Sequence, residues 1–222
     1  LFVIFCGGGN NGGDGLAIAR LLQKQQYNTH VYIVNPNKKQ SPDFTTNLNR
    51  LSKDKKQNIY WIETSKDIPT IPPKSIIIDA IFGTGFKSTP TTLVQKIITQ
   101  INNPLNTIVA IDIPSGLPAE ESSKQVAHAI IQAQYTLTFQ CPKQAFFFEE
   151  NFKYVGDFII LDILLHPEFL KKAETWNYYI TEQYCKGLFK KRNKFSHKGT
   201  YGHGLLLAGS HRKTGASVLA AQ

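Results

Sequence analysis

The chain has 222 residues, 41% of them hydrophobic, with 25 Lys and Arg against 16 Asp and Glu, a net charge of +9. That apolar content excludes a disordered chain, and no apolar run is long enough for a membrane-spanning helix. The basic excess invites a nucleic-acid reading, but it lies largely in Lys186, Lys190, Lys191, Arg192, Lys194 and Lys198, with Lys171-Lys172 and Lys53-Asp54-Lys55-Lys56, and reads better as solvated linker.

Residues 1–6 predict a buried strand. A glycine-rich loop follows, then a helix whose broad apolar face is Leu16, Ile18, Ala19, Leu21 and Leu22. Residues 31–34 form the next strand and close a β-α-β unit. Ser41-Pro42 is a helix start, a cap residue followed by Pro at the first helical position, with Phe44, Leu48 and Leu51 on one face. Residues 59–62 and 76–78 are strands, Leu93, Ile97, Ile98 and Ile101 mark a helix, and 108–113 is another buried strand. A helix near 126–133 then leads to strands at 135–139 and 158–161. Phe146-Phe147-Phe148 reads as core or interface, not as a ligand-stacking surface. Strands that are almost wholly apolar and alternate with helices predict an α/β fold, a Rossmann-like three-layer α/β/α sandwich around a mostly parallel sheet.

From Tyr184 to Ser196 the chain turns basic and polar, as domain boundaries do. A new strand is expected at Leu205-Leu206-Leu207 and a helix after Thr214-Gly215-Ala216, the start of a second α/β domain. The sequence opens inside a strand-like run without Met and closes in helix-like sequence, so it is expected to be part of a longer chain. Cys6, Cys141 and Cys185 are odd in number, widely spaced and without metal-site spacing. That pattern suits reduced thiols in a cytoplasmic protein. The six histidines show no metal spacing either, and most are expected at the surface.

Ligands of open α/β sheets bind outside the carboxyl ends of the strands. Three loops rich in chemistry fall at such ends. The first is Gly7-Gly8-Gly9-Asn10-Asn11-Gly12-Gly13-Asp14-Gly15, where glycines admit an anion and a helix N-terminus offers free N–H groups to phosphate. Gly7, Gly9 and Gly12 match the dinucleotide fingerprint, but the second strand ends Val34-Asn35-Pro36-Asn37 without the ribose-binding acid. Asp14 has an alternative reading as an N-cap, and Asn10 and Asn11 as tolerant turn residues. The second loop is Asp79-Ala80-Ile81-Phe82-Gly83-Thr84-Gly85-Phe86-Lys87-Ser88-Thr89-Pro90. Its acid at a buried strand end needs a cation or backbone N–H groups as partners; otherwise the loop is a glycine turn before a capped helix. The third is Asp112-Ile113-Pro114-Ser115-Gly116, with Asp112 placed as hydrogen-bond acceptor or general acid/base and Ser115 outside any nucleophile-elbow pattern. Asn11, Asp79 and Ser115 together offer the oxygen donors that hard cations prefer.

Asn10-Asn11-Gly12-Gly13-Asp14-Gly15, Asp79-Ala80-Ile81-Phe82-Gly83-Thr84-Gly85 and Ala110-Ile111-Asp112-Ile113-Pro114-Ser115-Gly116-Leu117 closely resemble the YjeF N-terminal family, the NAD(P)H-hydrate epimerases. Tyr135-Thr136-Leu137-Thr138-Phe139 with Pro142-Lys143, and Val155-Gly156-Asp157, fit the same family. Ser196-His197-Lys198-Gly199-Thr200-Tyr201-Gly202-His203 resembles the opening of the ADP/ATP-dependent NAD(P)H-hydrate dehydratases, a ribokinase-like domain. The order of the two is that of bifunctional NAD(P)H-hydrate repair enzymes. The resemblance implies an epimerase domain over 1–185, then a linker and the truncated start of a dehydratase domain over 186–222. It implies interconversion of the R and S forms of NADH and NADPH hydrated at nicotinamide C6, with the dehydratase removing water from the S form at the expense of ADP or ATP. It implies substrate contacts from Asn10, Asn11, Gly12, Gly13 and Asp14, from Gly83, Thr84, Gly85, Phe86, Lys87, Ser88 and Thr89, and from Asp112 as the catalytic residue. It implies a potassium ion (K+) held by Asn11, Asp79 and Ser115, and a dehydratase substrate position at Ala216. The partners expected are the small-molecule substrate and further copies of the chain, with no nucleic acid and no membrane. The competing reading is a noncatalytic nucleotide- or RNA-binding scaffold module.

Overall fold

Val3 and Phe5 are buried on one side of the first strand, and Ile4 and Cys6 on the other. Side chains alternate across a strand, so a run apolar at every position must be covered on both faces. The computed structural model describes residues 1–35, 38–53, 58–189, 191–211 and 214–221. Pro36 and Asn37 of the second strand end, Asp54-Lys55-Lys56 and Lys190 of the basic segments, and the side chain of Lys198 lie outside the described residues. By its contacts the chain divides into two units, Leu1–Glu174 and Thr175–Gln222, a division that falls ahead of the expected boundary at 185/186.

The first unit runs β1 (Phe2–Gly7), α1 (Asn10–Lys24), β2 (Thr29–Val34), α2 (Pro42–Leu51), β3 (Ile59–Ile62), β4 (Ile76–Ala80), α3 (Thr92–Ile101), β5 (Thr107–Ile111), β6 (Tyr135–Phe139), α4 (Phe152–Val155), β7 (Asp157–Leu161) and α5 (Pro167–Lys172). The seven strands form one sheet in the order β3-β2-β1-β4-β5-β6-β7, and every adjacent pair is parallel. Leu16 and Ala19 of α1 and Phe44 and Leu51 of α2 pack with Ile4, Val31, Ile33 and Ile78 on one face. Val94, Ile97, Ile98 and Ile101 of α3 pack with Val3, Phe5, Ile77 and Ile108 on the other. This is the expected α/β/α sandwich. Helix α2 starts as its sequence predicts, with the Ser41 side chain accepting the Phe44 N–H at 3.1 Å and Pro42 in the first turn.

Two local expectations are corrected. Leu21 is 54% exposed, because α1 turns the Leu16 and Ala19 stripe to the sheet and Leu21 falls off that arc. No helix forms over 126–133, where a short 3-10 turn at Ser123–Gln125 gives way to extended chain. There Ile130 and Ile131 enter different core clusters, as successive residues of extended chain do. Backbone groups of this stretch bond to distant partners, Ile131 N–H to the Ser115 carbonyl at 3.0 Å and Ala133 N–H to the Tyr154 carbonyl at 2.9 Å. Tertiary hydrogen bonds thus replace those a helix would have made internally. Of the three phenylalanines, Phe146 is buried and meets Phe158 with ring centroids 5.4 Å apart, while Phe147 is 55% exposed.

The second unit holds α6 (Glu182–Leu188) and α7 (Gly215–Ala221), the latter where a helix was expected. Leu205, Leu206 and Leu207 form no strand and stay exposed; no described strand lies beside them to complete a ladder. Lys186, Lys191, Arg192 and Lys194 are exposed, in keeping with a solvated basic segment. Among the described residues no helix is long and apolar enough to cross a membrane.

Candidate functional site

Strand β1 lies mid-sheet, with β2 on one side and β4 on the other. The chain winds toward one edge through α1 and α2 and toward the other through α3, so the strand order reverses beside β1 and opens a crevice at the carboxyl ends. Two glycines let the loops close on it. A Cβ at Gly7 would lie 1.9 Å from the Ile81 carbonyl oxygen, and one at Gly12 would lie 1.7 Å from that of Gly7. Only bare backbone fits at these two positions. Helix α1 begins at Asn10 with Gly9 as its N-cap, no side chain caps it, and its first turn carries no acid. Its N-terminal N–H groups therefore remain available to an anion. Asp14, expected at the helix start, lies in the second turn and does not cap it.

The crevice is a cavity of about 710 Å³ lined by Gly8, Gly9, Asn10, Asn11, Asp14, Ser41, residues 81–86, Asp112 and Phe139. Asn10, Asn11, Asp14, Gly83, Thr84, Gly85, Phe86 and Asp112 are thus brought to one space from three loops. Ser88 and Thr89 line an adjoining cavity of about 420 Å³ with Asn35, Lys39 and Ser41. Lys87 lies on a further one, also lined by Glu120, Glu121 and His128. Gly12 and Gly13 line none of these. Gly12 packs under the Gly7 carbonyl, and Gly13 packs against the backbone of Asp43 and Phe44. Phe139 and Ser41 were missed as lining residues. Phe139 ends β6, the strand beside the one that presents Asp112, and that adjacency at a carboxyl edge was the available signal.

Beneath the cavity floor, Asp79 and Ser115 are fully buried and Asn11 is 8% exposed. The Asp79 carboxylate accepts the Ser115 hydroxyl at 2.6 Å, the Ser115 N–H at 2.8 Å and the Ile81 N–H at 3.2 Å. Burial still dominates and pushes the Asp79 pKa up to about 6. The Asn11 amide donates to the carbonyls of Phe82 at 2.8 Å and Ile111 at 3.2 Å, while its Oδ1 is buried with no hydrogen-bond partner among the described residues. Ser115 Oγ also accepts the Phe82 N–H at 2.9 Å. One loop thus links the amide, carboxylate and hydroxyl. No cluster of three His, Cys, Asp or Glu occurs among the described residues, so a metal here would be bound through neutral oxygens and a single carboxylate.

Asp112 follows β5 directly with φ 65°, in the left-handed region, and Ile113 N–H bonds back to the Ile111 carbonyl at 2.8 Å. Such a three-residue turn is strained for a residue other than glycine. Asp112 faces the same cavity as Asp14, whose pKa is raised by burial first and then by the Asp112 and Asp43 carboxylates.

The model of the family described as YjeF-related protein N-terminus matches residues 1–145. The chain belongs to that family. It is 34% identical to the bifunctional NAD(P)H-hydrate repair enzyme Nnr of Moorella thermoacetica over 99% of its own length and 42% of that protein. With the enzyme of the same name from Escherichia coli the identity is 29%, over 97% of this chain and 40% of the relative. With the bifunctional NAD(P)H-hydrate repair enzyme of Leishmania braziliensis it is 30%, over 100% of this chain and 40% of the relative. The chain thus spans less than half the length of these relatives. The crystal structure of yeast ynu0 superimposes with a TM-score of 0.60 at 22% identity, covering 82% of this chain and 75% of that one, a likeness of fold.

Proposed function

We propose that this chain is an NAD(P)H-hydrate epimerase, an isomerase that interconverts the R and S forms of hydrated NADH and NADPH. The observation that carries this reading is Asp112, held at a strand end in a strained turn and facing a cavity with a bare helix N-terminus at its rim. Family membership and relatives named for NAD(P)H-hydrate repair support the substrate class. Inversion at C6 requires a bond to that carbon or within the ring to break and re-form from the other face, and either route needs a proton delivered and withdrawn. Asp112 is the general acid/base for that transfer. Asn10, Asn11 and Asp14, with residues 83–86, surround the substrate, the free N–H groups of α1 and the glycine backbone of 83–85 receive its phosphates, and Lys87, Ser88 and Thr89 extend the site into the adjoining cavities.

Asn11, Asp79 and Ser115 are the proposed potassium ligands. The donors fit: a buried amide oxygen and a buried carboxylate that find, among the described residues, no hydrogen-bond partner and no counter-charge respectively, together with a hydroxyl, are what a hard monovalent cation satisfies. When bound, the ion supplies positive charge that balances Asp79 and holds the three loops together. In a longer protein, the segment from 186 onward is proposed to open a dehydratase domain that removes water from the S form with ADP or ATP, as Ser196–His203 and the bifunctional relatives suggest. A homo-oligomer is part of this reading, supported by Ile159, Ile160 and Leu161, which edge strand β7 leaves exposed. So is a cytoplasmic setting, supported by three cysteines that form no disulfide.

The test is to follow R and S hydrated NADH by chromatography with and without potassium. Acceleration by the chain supports the reading, and no acceleration overturns it. Asp112→Asn is expected to lower kcat by about 10²-fold or more while substrate binding persists; unchanged turnover would reduce Asp112 to a binding group.

A further inference from the structure

Lys143 sits in the loop after β6, 31 positions beyond Asp112 in sequence, yet its Nζ lies 2.8 Å from Asp112 Oδ1. The two side chains are 15% and 12% exposed, so the pair is largely out of water. An ammonium has three N–H donors. Here one goes to the carboxylate, one to the Phe139 carbonyl at 3.2 Å and one to the Cys141 carbonyl at 3.3 Å. The charge is fixed as a tripod on its own loop, with no donor left for a ligand, and Lys143 does not line the cavity.

The carboxylate is equally one-sided. Phe139 N–H reaches Asp112 Oδ1 at 3.3 Å and the Thr138 hydroxyl reaches it at 3.5 Å, so every donor the described residues bring falls on Oδ1. The residue itself faces the cavity, which leaves Oδ2 to meet what binds there. Its backbone stands at φ 65°, a conformation that costs about 1–3 kcal/mol and persists only where the surroundings impose it. The Asp112 N–H is tied to the Leu137 carbonyl at 2.7 Å, so β6 and its loop hold this residue at both backbone and side chain.

We infer that Lys143 is the positioning residue for Asp112: it anchors Oδ1 and balances its charge so that Oδ2 is presented to the substrate. The inference rests on the reading of Asp112 as the acid/base group, and the two are separable by experiment. Lys143→Met keeps the length of the side chain and removes the charge. Epimerisation kinetics and direct substrate binding are measured for the full chain, for Asp112→Asn, for Lys143→Met and Lys143→Arg, and for the double variant Asp112→Asn/Lys143→Met.

Lys143→Met is expected to lower kcat by about 10-fold to 100-fold with KM within about threefold, because the lost interaction matters where the proton moves. Lys143→Arg, which keeps a cation at the site, should recover part of that loss. In the Asp112→Asn background the second substitution should add little, since residues acting as one unit are non-additive. If Asp112→Asn is inactive while Lys143→Met turns over normally, the inference fails and the functional reading stands. If the unaltered chain does not epimerise, the functional reading fails first. Equal losses for Lys143→Met and Lys143→Arg would also overturn the inference, as would Lys143→Met losses that multiply in full on top of Asp112→Asn. Should Lys143→Met unfold, Lys143→Gln, which keeps a neutral donor at the site, takes its place: a folded Gln variant that turns over normally overturns the inference, and one that loses kcat with KM within about threefold supports it.

Discussion

Asp79 shows how a single residue carries opposing demands. Its folded-state pKa is about 6 against an ordinary 3.8, so the folded state holds the proton more tightly than the unfolded chain does. The resulting stability is fully present below the ordinary value and is lost as pH rises through about 6, a swing on the order of 3 kcal/mol. A cation beside the carboxylate reverses that penalty at neutral pH, and protons compete with it in acid. Excess potassium should therefore raise Tm at about pH 7.5 and much less at about pH 5, in thermal unfolding scans. The dependence should vanish in Asp79→Asn. Gly12 makes a steric demand of the same severity. Gly12→Ala sets a methyl 1.7 Å from the Gly7 carbonyl oxygen, against main chain and not against a flexible side chain that could give way. It is expected to cost about 3 kcal/mol in urea unfolding.

Among the elements, α3 shows what sequence periodicity achieves. Val94, Ile97, Ile98 and Ile101 are all buried, at the spacing of one helical face, and join the core formed with Val3, Phe5 and Ile77. Ile97→Ala should destabilise by about 2–5 kcal/mol in denaturant unfolding, with no change in the cavity residues. The segment 126–133 shows the limit of that signal. Its apolar residues are spaced acceptably for a helix, but Ser115, Asn102 and Tyr154 offer its backbone hydrogen bonds from elsewhere in the fold. Those partners lie up to about thirty positions away in sequence, and no local pattern announces them.

At the scale of the whole molecule, the two units differ in how much they bury. Strands β1, β2, β4 and β5 of the first hold a continuous core, while Trp176, Tyr178, Leu188, Phe195 and Leu205 of the second are exposed. Limited proteolysis is expected to leave a resistant fragment ending near Glu174, read by mass spectrometry, because local stability follows buried contact. A resistant fragment extending past 185 would favour the boundary read from the sequence.

The sequence by itself determined the parallel α/β sandwich, since its apolar strands, the Ser41-Pro42 start and the α3 stripe are local patterns tied to fixed backbone periods. It also marked all three loops, because glycines and acids at strand ends have few structural uses. Only the tertiary structure decided which loop residues meet. It set Asn11 beside the Phe82 carbonyl, buried Gly12 and Gly13 away from the cavity, moved Asp14 into the second turn of α1, and joined Lys143 to Asp112. The physical reason is the same in each case. Periodicity fixes which face a residue takes, but the distance between residues on separate strands is set by the order and register in which those strands pair.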